Sequence, residues 1–128
     1  MTGSDLAIVD SAGWVEYLGD GPKAAAFARF LDNPEFVLLP TTVVYEVYKK
    51  LLRERTSDVA QHFLSSAFDF QERLIPLDVV IAELAAKVSI ETKLPMADAI
   101  IYASARQHRV PLITSDAHFE GLPWVTLI

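Results

Sequence analysis

Cysteine is absent from the 128 residues, which removes disulfides, thiolate metal sites and thiol nucleophiles together. Histidine is scarce: His62, His108 and His118 are scattered and make no pair suited to zinc. The longest uncharged stretches, such as Phe36–Tyr45, fall short of the roughly 18 apolar residues of a membrane helix. The opening MTGSDLAIVD has no basic segment before its apolar residues and does not read as a signal peptide. Positive charge is also short, with 11 Lys and Arg against 17 Asp and Glu and a formal net charge of −6. That balance argues against a whole-protein electrostatic grip on nucleic acid. Two explanations stay open: there is no nucleic-acid partner, or some negative charge is clustered where a cation neutralises it. Nothing resembles a serine triad, a P-loop or a dinucleotide glycine fingerprint. There is no internal repeat, low-complexity tract or long linker.

Apolar residues are plentiful, at 52% of the chain with mean hydropathy +0.27. The length suits one domain, residues 1–128, able to bury a core without staples. The lack of cysteine and of a membrane segment fits a cytoplasmic protein. The apolar excess points to a dimer or a bound partner.

The coarse pattern alternates strands and helices. Leu6–Val9 is a short apolar run ending at Asp10, consistent with a buried strand. Ala24–Leu31 reads as a helix after Gly21-Pro22, and Phe36–Leu39 as a strand closed by Pro40. Thr41–Arg55 is a helix with Val44, Val47, Tyr48 and Leu51 on one face and Lys49, Lys50 and Arg53 towards solvent. Ser57–Phe70 is predicted as a helix capped by Ser57 or Asp58. A short strand follows at Leu74-Ile75. Asp78 caps a helix over Val79–Glu91 with Val80, Leu84 and Val88 stacked, and Met96–His108 is the next helix. Val110–Thr114 and Val125–Ile128 are the last strands. Strands separated by helices favour a parallel sheet covered on both faces. Ligands in such sheets sit outside the carboxyl ends of the strands, where Asp10 and Asp116 fall.

Most acids occupy polar turns or solvated helix faces, but four do not. Asp10 ends LAIVD before a strand-to-helix turn, and Asp116 ends the strand Leu112-Ile-Thr-Ser. Glu46 lies inside VVYEVY, and Asp98 inside MADAIIYASA with Ile101 and Tyr102 as its i+3 and i+4 neighbours. Singly, Asp10 can cap a helix, Asp98 can satisfy a first turn and Asp116 can be a turn residue. Glu46, in mid-helix, has no such role. A carboxylate buried without a partner is expensive, and no Lys or Arg lies inside any of these segments. Coordination answers all four at once, and oxygen-only ligands point to Mg²⁺ or Mn²⁺. Ser11, Thr114 and Ser115 flank the set and can hydrogen-bond its carboxylates or a water. Among lesser candidates, His118 reads as a surface-turn residue with substrate contact as the alternative. Trp14 and Trp124 read as packing residues.

IVDSAGWVEYL, TTVVYEVYKKLL and LPMADAIIYASARQHRVPLITSDAHFEGLPWVTLI, in this order, resemble a PIN domain, especially the VapC toxins of bacterial and archaeal toxin–antitoxin pairs. The likeness runs from about residue 6 to the C-terminus. It implies a three-layer α/β/α sandwich with a central parallel sheet, and it maps the family's acidic quartet onto Asp10, Glu46, Asp98 and Asp116. It also implies Mg²⁺ or Mn²⁺, endonucleolytic cleavage of RNA, a homodimer, and inhibition by a small antitoxin. In that reading Asp10 and Asp98 ligate the metal, Asp116 does so directly or through water, and Glu46 ligates or orients the attacking water. Lys49, Lys50 and Arg53 contact RNA phosphates, or else form a solvated face. Many relatives carry an acid two residues beyond the fourth one, where this chain has His118. Two rival readings are a PIN fold that binds RNA or protein without cutting, and another Mg²⁺ phosphotransfer enzyme with Asp10 as nucleophile.

Overall fold

The apolar run before Asp10 forms strand β1 (Ala7–Val9) in a computed structural model of the chain that describes residues 5–128. Residues 1–4, part of the one-domain and N-terminal readings, lie outside the described residues. Helices α1 (Ser11–Leu18) and α2 (Ala24–Leu31) lead to β2 (Val37–Pro40). Helices α3 (Thr41–Glu54) and α4 (Ser57–Phe68) lead to β3 (Leu74–Ile75). Helices α5 (Val79–Thr92) and α6 (Met96–His108) lead to β4 (Leu112–Thr114), and a 3₁₀ turn at Ala117–Phe119 precedes β5 (Val125–Leu127). The strands lie in the order β3-β2-β1-β4-β5 and every neighbouring pair is parallel, because each connection, helical or, before β5, through the 3₁₀ turn, carries the chain back to the same end of the sheet. This is the expected central parallel sheet flanked by helices.

Strands β1, β2 and β4 are buried at every residue. They therefore read as continuous apolar runs, as a sheet covered on both faces requires. Helix α3 buries Val43, Val47 and Leu51. Helix α6 buries every residue from Ala99 to Ala105, which explains why it is apolar almost all round.

Three local expectations are corrected. In α5 the buried stripe is Ile81, Ala85 and Val88, while Val80 is exposed. The run VVIAELAAKV is so uniformly apolar that its period does not set the phase, and packing against α6 does. Helix α4 is capped by the Thr56 hydroxyl, which accepts from Val59 N, rather than by Ser57 or Asp58. Trp14 packs edge-on against Phe63 and Phe70 as expected, but Trp124 is half exposed at φ +67°, with the Arg106 guanidinium over its ring. Among the described residues no helix is long and apolar enough to cross a membrane.

From β1 the chain winds outward to β2 and β3, then returns to the opposite side of β1 for β4 and β5. The direction therefore reverses between β1 and β4, and their carboxyl ends open into the crevice typical of such a switch. Gly13, in the first turn of α1, makes the close packing there possible. A Cβ at this position would lie 2.6 Å from both Phe27 Cε1 and Val9 Cγ1, and neither side chain has room to move, since both are fully buried. Gly13→Ala is expected to lower stability by about 1–3 kcal/mol, despite the roughly 1 kcal/mol by which alanine favours a helix. Chemical denaturation measures it, and a neutral or stabilising result would show that α1 is free to shift.

Candidate metal centre

Asp10 is the residue at which β1 stops and α1 starts. Its backbone N–H donates to Ile113 O at 3.1 Å, which fixes it against β4. Its Oδ1 accepts from Gly13 N at 3.0 Å, capping α1, and its Oδ2 accepts from the Thr114 hydroxyl at 2.6 Å. The same hydroxyl accepts from Asp116 N at 2.9 Å. One buried threonine at the end of β4 therefore holds both strand-end acids. Asp116 in turn caps the Ala117–Phe119 turn by accepting from His118 N at 2.9 Å. Asp10 and Asp116 thus both cap the elements that follow them, as each residue singly allows.

Asp98 is in the first turn of α6, behind the cap residue Pro95, and among the described residues its side chain makes no hydrogen bond to the helix backbone. Glu46, on α3, accepts from the Ser11 hydroxyl at 2.8 Å, which ties it to the start of α1. Of the flanking hydroxyls, Ser11 and Thr114 bond site carboxylates. No bond from Ser115 to a carboxylate is found among the described residues.

The four acids are less deeply buried than their apolar sequence neighbours suggest. Only Asp10 is inside, at 4% exposure. The Asp98 and Asp116 side chains are 20% and 32% exposed, and Glu46 is half-buried. Apolar neighbours in sequence bury a helix or strand, but a side chain at its rim still reaches the crevice. Asp98, Asp116 and His118 offer ligand atoms that all lie within 4.8 Å of one another. Asp10 and Glu46 stand outside this tight group and are coupled to it through charge: Asp10 feels Asp116 and Asp98, and Asp98 feels Asp116 and Glu46. The donor set, carboxylate oxygens with one imidazole, fits a hard or borderline divalent cation.

Burial pushes the Asp10 carboxyl from 3.8 up to about 6, against the bonds from Thr114 and Gly13, with Asp116 and Asp98 adding to the rise. Asp98 is raised by burial, then by Asp116 and Glu46, with His118 opposing. A carboxyl raised on folding holds its proton more tightly in the folded state. The stability this gives is complete below the unfolded value and is lost as pH rises through the folded one. For Asp10 that loss runs mainly from pH 4 to pH 6 and above. The metal-free protein is therefore expected to be more stable at pH 5 than at pH 7.5, by about 1.4 kcal/mol from Asp10 alone. Asp10→Asn should flatten that slope, as thermal unfolding in chelator at the two pH values would read. An unchanged slope in the variant would assign the pH dependence to other groups.

Beside the carboxylates, a 290 Å³ cleft is lined by Ser11, Tyr45, Glu46, Lys49, Lys50 and Arg53. The three cations project from the turns of α3 that follow Glu46. Lys50 and Arg53 also stand 3.9 and 4.0 Å from Glu54, a surface pairing of small energetic weight. His118 is the exposed turn residue the sequence suggests, but neither the aim of its ring nor the place of Tyr45 was read from sequence. His118 faces Asp98 and Asp116. Tyr45 is exposed on the cleft with the Lys49 ammonium 5.5 Å from its ring; its i+4 spacing to a lysine was the available signal.

A family model described as PIN domain matches residues 7–125. No protein of curated function matches the chain in sequence. In three dimensions it is similar to a toxin–antitoxin complex from Klebsiella pneumoniae, with 24% identity, TM-score 0.73 and coverage of 94% of this chain and 95% of that one. It is likewise similar to VapBC2 from Rickettsia felis, solved bound to a DNA fragment from its promoter, at 14% identity, TM-score 0.72 and 96% and 97% coverage. FitAcB from Neisseria gonorrhoeae aligns at 20% identity and TM-score 0.67, covering 88% of this chain and 89% of that one. At these identities the likeness is one of fold.

Proposed function

This chain belongs to the PIN domain family, and from that premise we propose that it is a cytoplasmic, Mg²⁺- or Mn²⁺-dependent endoribonuclease, the toxin of a toxin–antitoxin pair, formed by residues 1–128 as one domain. The observation that carries the reading is the set of acids gathered at the β1/β4 switch. Their mutual repulsion is unrelieved by any Lys or Arg paired with Asp10, Asp98 or Asp116 among the described residues. Asp10, Asp98 and Asp116 would hold the cation. When bound, it supplies Lewis acidity to the attacked phosphate and lowers the pKa of a water. Glu46, steadied by Ser11, orients the attacking water and accepts its proton. Lys49, Lys50 and Arg53 bind the phosphates that flank the scissile bond. This division of labour reconciles an acidic chain with an anionic substrate, because positive potential is needed only locally.

The double hydrogen bonding of Asp10 speaks against its use as a phosphate-accepting nucleophile. Two apolar surfaces support the partners. A groove of 430 Å³ lined by residues including Trp14, Leu18, Val59 and Phe63 suits the apolar side chains of an antitoxin. Leu77, Val79, Val80, Ile90 and Met96 are exposed along and beside α5 and α6, and support a homodimer contact.

The test is incubation of total cellular RNA with the purified protein plus Mn²⁺ or Mg²⁺, in parallel with chelator. Discrete fragments that need the metal are expected. RNA that is bound but left intact by the folded, metal-loaded protein would favour the non-catalytic module instead.

A further inference from the structure

The turn after β4 brings an imidazole to the carboxylates. Asp116 stands two residues beyond the end of β4 in extended backbone, and the bond from His118 N to its Oδ1 folds the next two residues back. The His118 ring then directs Nδ1 towards the crevice, 3.3 Å from Asp116 Oδ1 and 3.7 Å from Asp98 Oδ2. These separations exceed the 2.7–3.2 Å of an N–H···O hydrogen bond. They fall between the spacings of adjacent and opposite ligand atoms around a shared octahedral cation, about 3 Å and about 4.2 Å at bond lengths of about 2.1 Å, so a small shift of the exposed ring brings all three atoms onto one ion. The His118 side chain is 67% exposed, so an ion pair with the two acids would contribute little and does not by itself account for the ring's position.

We propose that His118 is a nitrogen ligand to the cation at this centre, and that it shifts the site's preference from Mg²⁺ towards Mn²⁺. The proposal rests on the metal-centre reading above and concerns what this chain does differently within it. Sites built of carboxylate, carbonyl and water suit Mg²⁺, whereas imidazole suits transition metals, whose affinities rise along the first-row series beginning at Mn²⁺. Exchanging one oxygen donor for nitrogen therefore weakens the match to Mg²⁺ while Mn²⁺ tolerates it. Asp98 and Asp116 supply the charge that holds either ion, and His118 supplies the discrimination.

The experiment loads the metal-free full chain with Mn²⁺ or Mg²⁺ and measures affinity by calorimetry. Pulsed electron paramagnetic resonance of bound Mn²⁺ then reads nitrogen coupling. Wild type should show that coupling. His118→Ala should lose it, together with at least about tenfold in Mn²⁺ affinity, the lower end of what loss of even an indirect metal partner causes, while Mg²⁺ affinity changes much less. His118→Asp should also lose the coupling, yet recover Mg²⁺ binding so that the Mn²⁺ to Mg²⁺ ratio collapses. Because the side chain is largely exposed, both variants should keep the wild-type unfolding temperature in chelator to within a few degrees. Mn²⁺ bound by wild type without nitrogen coupling, or coupling that survives in His118→Ala, overturns the role of His118 and leaves the carboxylate centre standing. Parallel loss of both metals in His118→Ala overturns the discrimination. A wild type that binds neither metal overturns the centre itself, and the proposal with it.

Discussion

Asp98→Asn is expected to abolish most metal-dependent RNA cleavage, by about 10²- to 10³-fold in single-turnover rate, while leaving the fold intact. The rate estimate follows from removing one group that holds charge stabilisation worth about 3–4 kcal/mol in the transition state. The fold survives for local reasons. Asp98 caps no helix, asparagine is nearly isosteric, and the position is partly open to solvent. Removing its charge also relieves the repulsion from Asp116 and Glu46, so the metal-free variant should unfold at the same temperature as wild type or slightly higher at pH 7.5. Loss of activity with retained or raised stability separates a metal-holding acid from a structural one. Cleavage within about threefold of wild type, with metal bound, would remove Asp98 from the centre.

The second large effect concerns the basic turns of α3. Replacing Lys49, Lys50 and Arg53 together with alanine should weaken RNA binding about 100-fold at 0.1 M salt and lower the salt slope by about 2. Each phosphate contact on a single strand releases about 0.7 counterion, so three contacts give a slope near 2, and tenfold dilution from 1 M salt multiplies that into two decades. Fluorescence anisotropy in an Asp98→Asn background measures binding without cutting. The loss should be similar for RNAs of different sequence, because phosphates carry no base information. An unchanged slope would make these residues a solvated face paired with Glu54, the alternative their spacing also allows.

Much of the fold was legible because its causes are local. LAIVD and VPLIT are short apolar runs closed by polar residues, and a buried parallel strand requires just that pattern. Asp78 stood where a cap belongs, and it caps α5 by accepting from Ile81 N. Where local signals were degenerate, the reading drifted. Helix α5 offers apolar residues on nearly every face, so its phase waited on α6. Thr56, Ser57 and Asp58 are all competent caps, and backbone conformation chose Thr56. Trp124 lies after Pro123 in a positive-φ turn, and a large apolar side chain alone does not reveal that the turn carries it outward.

For the centre, the sequence by itself singled out four acids with apolar neighbours, because such a setting is recognisable within a turn or two of chain. It also determined the class of sheet, and hence that strand ends were the place to look. The tertiary structure alone decided which of those acids meet. Thr114 donates to Asp10 across 104 residues and Ser11 reaches Glu46 across 35. Such distances depend on strand order and register, which no local window encodes. It decided too that Asp10 is buried while Asp98 and Asp116 are partly exposed, and that His118 stands beside them. A side chain's burial belongs to the packed elements around it, and the turn that aims an imidazole at two carboxylates acquires its target only when β4 is laid beside β1.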